Sequence, residues 1–190
     1  GADRAGHGRY VWRMNAGRVD TCNDAAMAAC IFAVDPPALG GIVIRSNAGA
    51  GRDGLVAAIR AALSPMPVRK IPTAIGDDRL LGGLDLAATL RAGRAVLCRG
   101  VLAESDGSVI IVPSAERMSP SLAARLGAVL DLGRVTVARE GLTDSAACRI
   151  GLVLLDEGIG AEEGAPTSLT DRLALHAAIA DHFDPAWLPF

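Results

Sequence analysis

The stretch IVIRSNAGAGRDGL, residues 42–55, joins an apolar strand to a glycine-bearing turn and then to a helix. Ile42-Val43-Ile44 form the apolar run, and from Asp53 onward apolar residues recur at the spacing of one helix face. A strand, a glycine turn and a helix in this order are the frame of a phosphate-binding loop, which reads G-x-x-x-x-G-K-[ST]. The stretch therefore predicts a strand–turn–helix unit of an α/β fold.

Several residues that a working phosphate-binding loop needs are replaced. When Gly51 is aligned with the second glycine, Ser46 takes the place of the first glycine, Arg52 that of the lysine and Asp53 that of the hydroxyl residue that binds Mg²⁺. Arg52 keeps the positive charge without the compact ammonium of lysine, and Asp53 adds a negative charge beside the phosphates. The candidate nucleotide-binding residues of this degenerate loop are Ser46, Asn47, Gly49, Gly51, Arg52 and Asp53. The alternative is a plain glycine-rich turn with no link to nucleotides.

An active ATPase of this design has a second strand that supplies an acidic residue for Mg²⁺. The best candidate strand is VIIV, residues 109–112, and it is followed by Pro113 and Ser114 instead of Asp-Glu. Proline can neither hold a cation nor polarise water, and a serine hydroxyl is a poor substitute for a carboxylate base. Because the metal ligands of both segments are replaced, we expect no ATP hydrolysis at this site.

The rest of the chain alternates strand and helix patterns, which predicts a three-layer αβα core with a mainly parallel sheet. Asp85 and Ser119 stand where helix N-caps belong, and Gly93 and Gly133 stand where those helices end. The pattern around Val135 predicts a β-hairpin insertion with its turn at Glu140-Gly141, and residues 73–84 read as a functional loop. The predicted strands are 42–44, 68–71, 109–112 and 150–155, and the predicted helices are 23–34, 53–63, 86–93 and 119–133.

Composition limits the classes of function. The 190 residues carry a net charge of −2, and the arginines are scattered, so nothing predicts binding to nucleic acid or to a membrane surface. No apolar run approaches the roughly 20 residues of a membrane span, and the first residues lack a hydrophobic signal region. The four cysteines and three histidines lack metal-site spacing, so we expect no metal site, and we expect reduced core thiols in a cytoplasmic protein. The cysteines are Cys22, Cys30, Cys98 and Cys148.

Three blocks together resemble the AAA+ modules of the magnesium chelatase family. They are AVDPPALGGIVIR with the following GAG, the block DDRLLGGLD at 77–85, and the block GVLA at 100–103. The second and third blocks occur in this order between the two nucleotide-site strands, and the resemblance covers roughly residues 22–176. The family has an I subunit with an intact ATPase site and, in photosynthetic bacteria, a D subunit with a degenerate one. The sequence resembles the D type, which implies a P-loop NTPase-like AAA+ fold.

The resemblance also implies roles for residues outside the loop. Glu157, after strand 150–155, stands at the sensor-1 position, and the block SLTDRL at 168–173 resembles one whose arginine reaches into a neighbouring subunit's nucleotide. Arg172 is thus implied to act in trans as an arginine finger; alternatively it is a surface arginine that caps a helix end or pairs with Asp171. The resemblance further implies interface positions, although a salt-bridge cluster in the loop is the commoner arrangement for such groups. These interface positions are Asp77, Asp78, Arg79 and Asp85.

The family resemblance implies a non-hydrolysing platform subunit in an enzyme that inserts Mg²⁺ into protoporphyrin IX, in chlorophyll or bacteriochlorophyll synthesis. ATP and Mg²⁺ are expected at a partner I subunit within an oligomeric ring, with a porphyrin-binding H subunit as the other partner, and no cofactor is expected on this chain. The alternatives are a self-sufficient AAA+ ATPase of the MoxR or I-subunit type and a purely structural α/β interaction domain. The expected organisation is a tail at 1–20, an AAA+ α/β subdomain at 21–183 and a tail at 184–190. The helical lid, acidic proline-rich linker and integrin-like domain of the family are expected to lie outside the chain.

Overall fold

A computed structural model of the protein describes residues 21–139, 142–160 and 162–179. In chain order the helices are α1 (Thr21–Val34), α2 (Ala50–Ala62), α3 (Asp77–Leu80), α4 (Leu86–Ala92), α5 (Pro120–Leu132) and α6 (Thr167–Thr170). The strands are β1 (Gly41–Arg45), β2 (Val68–Lys70), β3 (Gly82–Leu84), β4 (Leu97–Arg99), β5 (Ser108–Val112), β6 (Arg134–Arg139), β7 (Leu142–Ala147), β8 (Ile150–Asp156) and β9 (Leu175–Ala178). A single 3₁₀ turn at Ala115–Arg117 follows β5.

The main sheet has five parallel strands in the order β2-β5-β8-β1-β9. Every residue of β5 and β8 is buried, as the continuous apolar runs of these strands predict for a sheet covered on both faces. Strand β8 lies between β1 and β5, with Ile44 opposite Leu155 and Val112 opposite Leu154. The segment that follows β8 therefore emerges next to the loop that follows β1.

Helices cover both faces of the sheet and make three layers. Because successive strand residues point to opposite faces, Ile42 and Ile44 pack with α1 and α2, whereas Val43 packs with α5. Leu55 and Ile59 of α2 are completely or almost completely buried on the first side. The predicted three-layer αβα core with a parallel sheet is confirmed.

Local sequence signals set the ends of two helices as predicted. The Asp85 carboxylate accepts a hydrogen bond from Ala88 N at 2.9 Å at the start of α4, and Gly93 ends it in the left-handed conformation. The Ser119 hydroxyl accepts from Leu122 N at 3.2 Å, Pro120 takes the first helical position of α5, and Gly133 ends it.

The prediction of a loop over residues 73–84 is wrong for its second half. Residues 77–80 form α3 and residues 82–84 form β3, which pairs antiparallel with β4 in a separate two-stranded sheet. Gly82 has a φ of +112°, and a side chain at Gly100 would collide with the backbone of Leu81 and Gly82. Glycine thus permits the close crossing of the two backbones at Gly82 and Gly100. These short elements depend on tertiary contacts, which a local sequence pattern does not predict.

Two more boundaries differ from the prediction. Helix α2 begins at Ala50, not Asp53, so Gly51 and Arg52 belong to its first turn and not to the preceding loop. Strand β9 pairs with β1 at the edge of the sheet and was not predicted from its four residues. The β6–β7 hairpin is confirmed, while its predicted turn at Glu140-Gly141 lies outside the described residues.

The expectation that the cysteines are core thiols holds only in part. Cys148 is fully buried, and the loss of solvent around its thiol raises its pKa to about 12. Cys98 is exposed on β4, because this strand belongs to the small peripheral sheet and not to the core. Cys30 is half-buried, and Cys22 lies at a position whose side chain is not described. No helix in the described part of the chain is long and apolar enough to cross a membrane.

Candidate functional site

The candidate site lies at the carboxyl edge of the sheet, where the segments after β1 and β8 meet. The backbone N–H of Ser46 donates to the carbonyl of Asp156 at 3.0 Å, so the first residue of the loop is tied to the end of β8. The Ser46 hydroxyl is buried and has no hydrogen-bond partner within the described residues. Asn47 and Gly49 continue the loop and are exposed to solvent.

Arg52 forms an ion pair with Glu157 across this edge. The Arg52 side chain is only 13% exposed, and its second terminal nitrogen lies 3.5 Å from the Asp53 carboxylate. The predicted lysine-equivalent and sensor-1 positions, Arg52 and Glu157, are therefore in direct contact. The guanidinium, however, already faces two carboxylates of its own chain, and Nε has no hydrogen-bond acceptor in the described structure.

Asp156 and Arg45 shape the loop that carries Glu157. Both oxygens of the buried Asp156 carboxylate accept backbone hydrogen bonds, from Gly158 N at 2.8 Å and Ala165 N at 3.0 Å. Arg45 donates from β1 to the carbonyls of Gly158 and Glu163 at 2.8–3.1 Å. These bonds fix the chain that follows β8, and they use the Asp156 carboxylate for structure and leave neither oxygen without a partner.

A cleft of about 640 Å³ opens at this edge, and four of its ten lining residues are glutamates. Glu116 reaches into it from the 3₁₀ turn, where one carboxylate oxygen accepts from Glu157 N at 3.0 Å and the other lies 3.4 Å from Arg117 Nε. Four carboxylates and one guanidinium repel a polyphosphate more than they attract it. The cleft is lined by Asn47, Ala48, Glu116, Arg117, Glu157, Gly158, Ile159, Glu162, Glu163 and Gly164.

Pro113 and Ser114 follow β5 but are not among the residues that line this cleft. Ser114 adopts φ 50° and ψ 50°, a left-handed conformation that is uncommon for residues other than glycine, and it begins the 3₁₀ turn. The turn directs Glu116 toward Glu157, and no group of three acidic, His or Cys side chains in the described ranges is arranged to hold a metal ion. The donor set therefore does not fit a Mg²⁺–nucleotide.

Arg172 lies away from the cleft, after α6 and against α5. Its Nε donates to both Asp131 oxygens at 2.9 and 3.0 Å, Nη2 donates to Oδ2 at 2.8 Å, and Nη1 donates to the Ser168 carbonyl. The hydrogen bonds from Arg172 lower the pKa of Asp131, and the carboxylate in turn raises the pKa of Arg172. The arginine thus caps the end of α6, as one alternative held, but its main ion-pair partner is Asp131 and not Asp171.

The predicted interface residues at 77–85 lie on two elements, with Asp77, Asp78 and Arg79 on α3 and Asp85 at the start of α4. Asp77 pairs with Arg125 of α5, Arg79 is exposed on α3, and the Asp85 carboxylate caps α4. Asp78 packs against Gly83, where a Cβ would lie 3.3 Å from the aspartate side chain. The three residues of α3 lie at the surface, whereas Asp85 has a local structural task.

Three residues of the site were missed by the sequence reasoning. Glu116 and Asp131 gave no signal, because each acts on a residue 41 positions away. Asp156 did give one: it follows a buried apolar strand and precedes Glu157, which is the acidic ending sought after residues 109–112. The search for an acidic pair after β5 alone overlooked it.

Comparison with known proteins finds magnesium-chelatase subunits among the relatives of the chain. The chain is 45% identical over 148 residues, 78% of its length, to the magnesium-chelatase 60 kDa subunit of Cereibacter sphaeroides, and 35% identical over 154 residues, 81% of its length, to that of Rhodobacter capsulatus. It spans 23% and 24% of the length of these relatives. No family model matches the sequence.

A solved structure shares the fold. It is a model of the complex between subunits BchI and BchD of magnesium chelatase, based on a cryo-EM reconstruction, and it matches with a TM-score of 0.66 at 21% identity. The match covers 86% of this chain and 61% of the matched chain of the complex, and it confirms the α/β class. From the sequence relatives and this shared fold, the chain belongs to the magnesium-chelatase subunit family, with the 60 kDa subunits among its similar members.

Proposed function

We propose that this chain is the α/β subdomain of a D-type magnesium-chelatase subunit that hydrolyses no ATP itself. In this proposal the parent complex inserts Mg²⁺ into protoporphyrin IX, on the route to chlorophyll or bacteriochlorophyll. The ATP is hydrolysed at a partner I subunit, and the chain serves as a platform in a ring that works with a porphyrin-binding H subunit. The names of the relatives support the enzyme, and the BchI–BchD complex that shares the fold supports the I-type partner.

The observation that carries the non-hydrolysing role is the ion pair between Arg52 and Glu157. An ATPase of this type needs a cation directed at the phosphates and oxygen ligands for Mg²⁺. Here the cation is held by Glu157 and lies beside Asp53, while Pro113 and Ser114 replace the acidic ligands. Arg52 therefore links α2 to the segment after β8 and is not free to bind the phosphates of a nucleotide.

The same proposal gives the opposite edge of the chain a role. Arg172 is exposed on the α6 side, and a guanidinium supplied to a neighbour's nucleotide stabilises the charge of the transition state. A subunit that has lost its own site can thus complete the site of the next subunit. The exposed residues Asp77, Asp78 and Arg79 of α3 are proposed to belong to the subunit interface.

The test is the ATPase rate of the purified chain alone, with Mg²⁺, and after addition of an I-type subunit. We expect no turnover by the chain alone, and a rate for the mixture above that of the I subunit alone. The control is Arg52→Ala, which removes the only charge at the lysine position. A turnover of the isolated chain that Arg52→Ala abolishes would mean a self-sufficient ATPase, and a mixture with no gain in rate would favour a purely structural domain.

A further inference from the structure

Helix α5 forms a seat for the Arg172 side chain. Gly127 and Asp131 are four residues apart on α5 and therefore lie on one face of the helix. A Cβ at Gly127 would lie 3.4 Å from Arg172 Nε and 3.5 Å from Cζ, so the guanidinium rests directly on this part of the helix. Asp131 holds the side chain at one end of the seat, and the Ser168 carbonyl holds Nη1 at the other.

The hydrogen bonds of the seat leave one edge of the guanidinium available. The arginine guanidinium has five N–H donors, one on Nε and two on each terminal nitrogen. Asp131 takes the Nε donor and one on Nη2, and Ser168 takes one on Nη1. Among the described contacts, one donor on each terminal nitrogen has no acceptor. The Arg172 side chain is 39% exposed, so solvent and a partner can reach part of it.

Two parallel N–H donors on one edge are the arrangement that binds two oxygens of a phosphate or carboxylate. Free arginine side chains lose rotamer entropy when they bind an anion, and a side chain that is already held loses less. Asp131 therefore does not use up Arg172, because Asp131 and Ser168 together leave one donor on each terminal nitrogen.

We infer that Asp131 is a positioning residue that holds the Arg172 guanidinium so that its terminal edge is presented to a phosphate bound outside this chain. This inference rests on the proposed trans role of Arg172. If the inference is right, Asp131 affects the reaction only through Arg172. A residue that merely stabilises α5 would affect the reaction whether or not Arg172 is present.

The experiment is a double-mutant cycle in the complete gene product that contains this chain, mixed with its I-type subunit. We expect Arg172→Ala to lower the ATPase rate of the saturated mixture tenfold or more, and Asp131→Ala to lower it three- to tenfold, without a shift in the midpoint of the binding titration. Because Asp131 acts through Arg172, the double variant should match Arg172→Ala within about twofold. Asp131→Glu, which keeps a carboxylate, should recover part of the loss.

Asp171→Ala is the matched control. It removes the acidic charge next to Arg172 and leaves the hydrogen bonds of Arg172 to Asp131 and Ser168 in place. We expect its rate to stay within twofold of the wild type. An unchanged rate for Asp131→Ala, or losses that multiply in the double variant, would overturn the positioning role alone. An unchanged rate for Arg172→Ala would overturn the trans role of the proposed function, and the positioning role with it.

A second readout needs no partner subunit. In the 19.5 kDa chain, the Arg172 Nε–H donates to both Asp131 oxygens, so its NMR signal should be resolved and should exchange slowly with water. In Asp131→Ala this signal should broaden or merge with those of free arginines. A wild-type Arg172 Nε–H that exchanges as fast as that of an exposed arginine would contradict the seat itself.

Discussion

Arg52 and Glu157 lie 105 positions apart in the chain and meet at the carboxyl edge of the sheet. The Arg52 side chain is 13% exposed, so its charge is poorly solvated without its partner. At the scale of single residues, this pair gives the Arg52 guanidinium a charged partner within its own chain.

Glu157→Gln should therefore destabilise the fold by about 1–3 kcal/mol, because a mostly buried guanidinium loses its charged acceptor. The measurement is the free energy of unfolding in urea. The matched control is Glu104→Gln, which breaks the exposed Arg69–Glu104 pair and should cost less than about 1 kcal/mol. Equal and small losses for both variants would contradict the bracing role of Arg52.

The cysteines give a prediction with a pH dependence. Burial raises the pKa of the Cys148 thiol to about 12 from 9.0, so the folded protein keeps its proton while the unfolded chain loses it. The free energy of unfolding should then fall as the pH rises from about 9 toward 12.

The two thiols should also differ in reactivity. At pH 8, iodoacetamide should modify the exposed Cys98 well before Cys148, as mass spectrometry of partly labelled protein would show. Equal labelling of the two thiols in the folded protein would contradict this assignment.

What the sequence predicts at this scale depends on the distance along the chain. The Asp85 and Ser119 caps were predicted because each acts on a backbone N–H three residues away. Asp131 lies 41 positions from Arg172, and Glu116 lies 41 positions from the Glu157 N–H that it accepts from. Only the tertiary fold brings these partners together.

At the scale of elements, the strands with long apolar runs were predicted and the short ones were not. Strands β5 and β8 are buried along their full length, so their sequence alone signals a covered parallel sheet. Strands β3 and β4 have three residues each, and β3 contains Gly82 and Gly83. The pair forms because the two backbones cross closely.

This crossing gives a prediction for the β3–β4 unit. Gly100→Ala places a Cβ against the backbone of Leu80, Leu81 and Gly82, none of which can yield like a flexible side chain. We expect a loss of about 1–3 kcal/mol or more, and a lowering of Tm of roughly 2–4 °C per kcal/mol for a domain of this size. Gly76→Ala, with no atom within 4 Å of the new Cβ, is the control and should change stability by less than about 0.5 kcal/mol. A Tm for Gly100→Ala equal to the control would show that the crossing tolerates a side chain.

At the scale of the whole molecule, the two edges of the chain differ in what they offer. The cleft after β1 and β8 carries four glutamates, and one of them, Glu157, is already paired with Arg52. On the α6 side, the Arg172 side chain is 39% exposed. We therefore take the chain to act on a neighbour and not on a nucleotide of its own.

The most direct test of this central claim is a titration of an I-type subunit with wild-type or Arg172→Ala protein. The ATPase rate and the binding of the two proteins are followed separately. The account predicts equal binding and a rate at least tenfold lower for Arg172→Ala, a loss of over about 1.4 kcal/mol of transition-state stabilisation. Arg172→Lys should recover little, because lysine lacks the planar fork. If Arg172→Ala binds as the wild type does and supports an equal rate, the claim that this chain completes its neighbour's site is wrong.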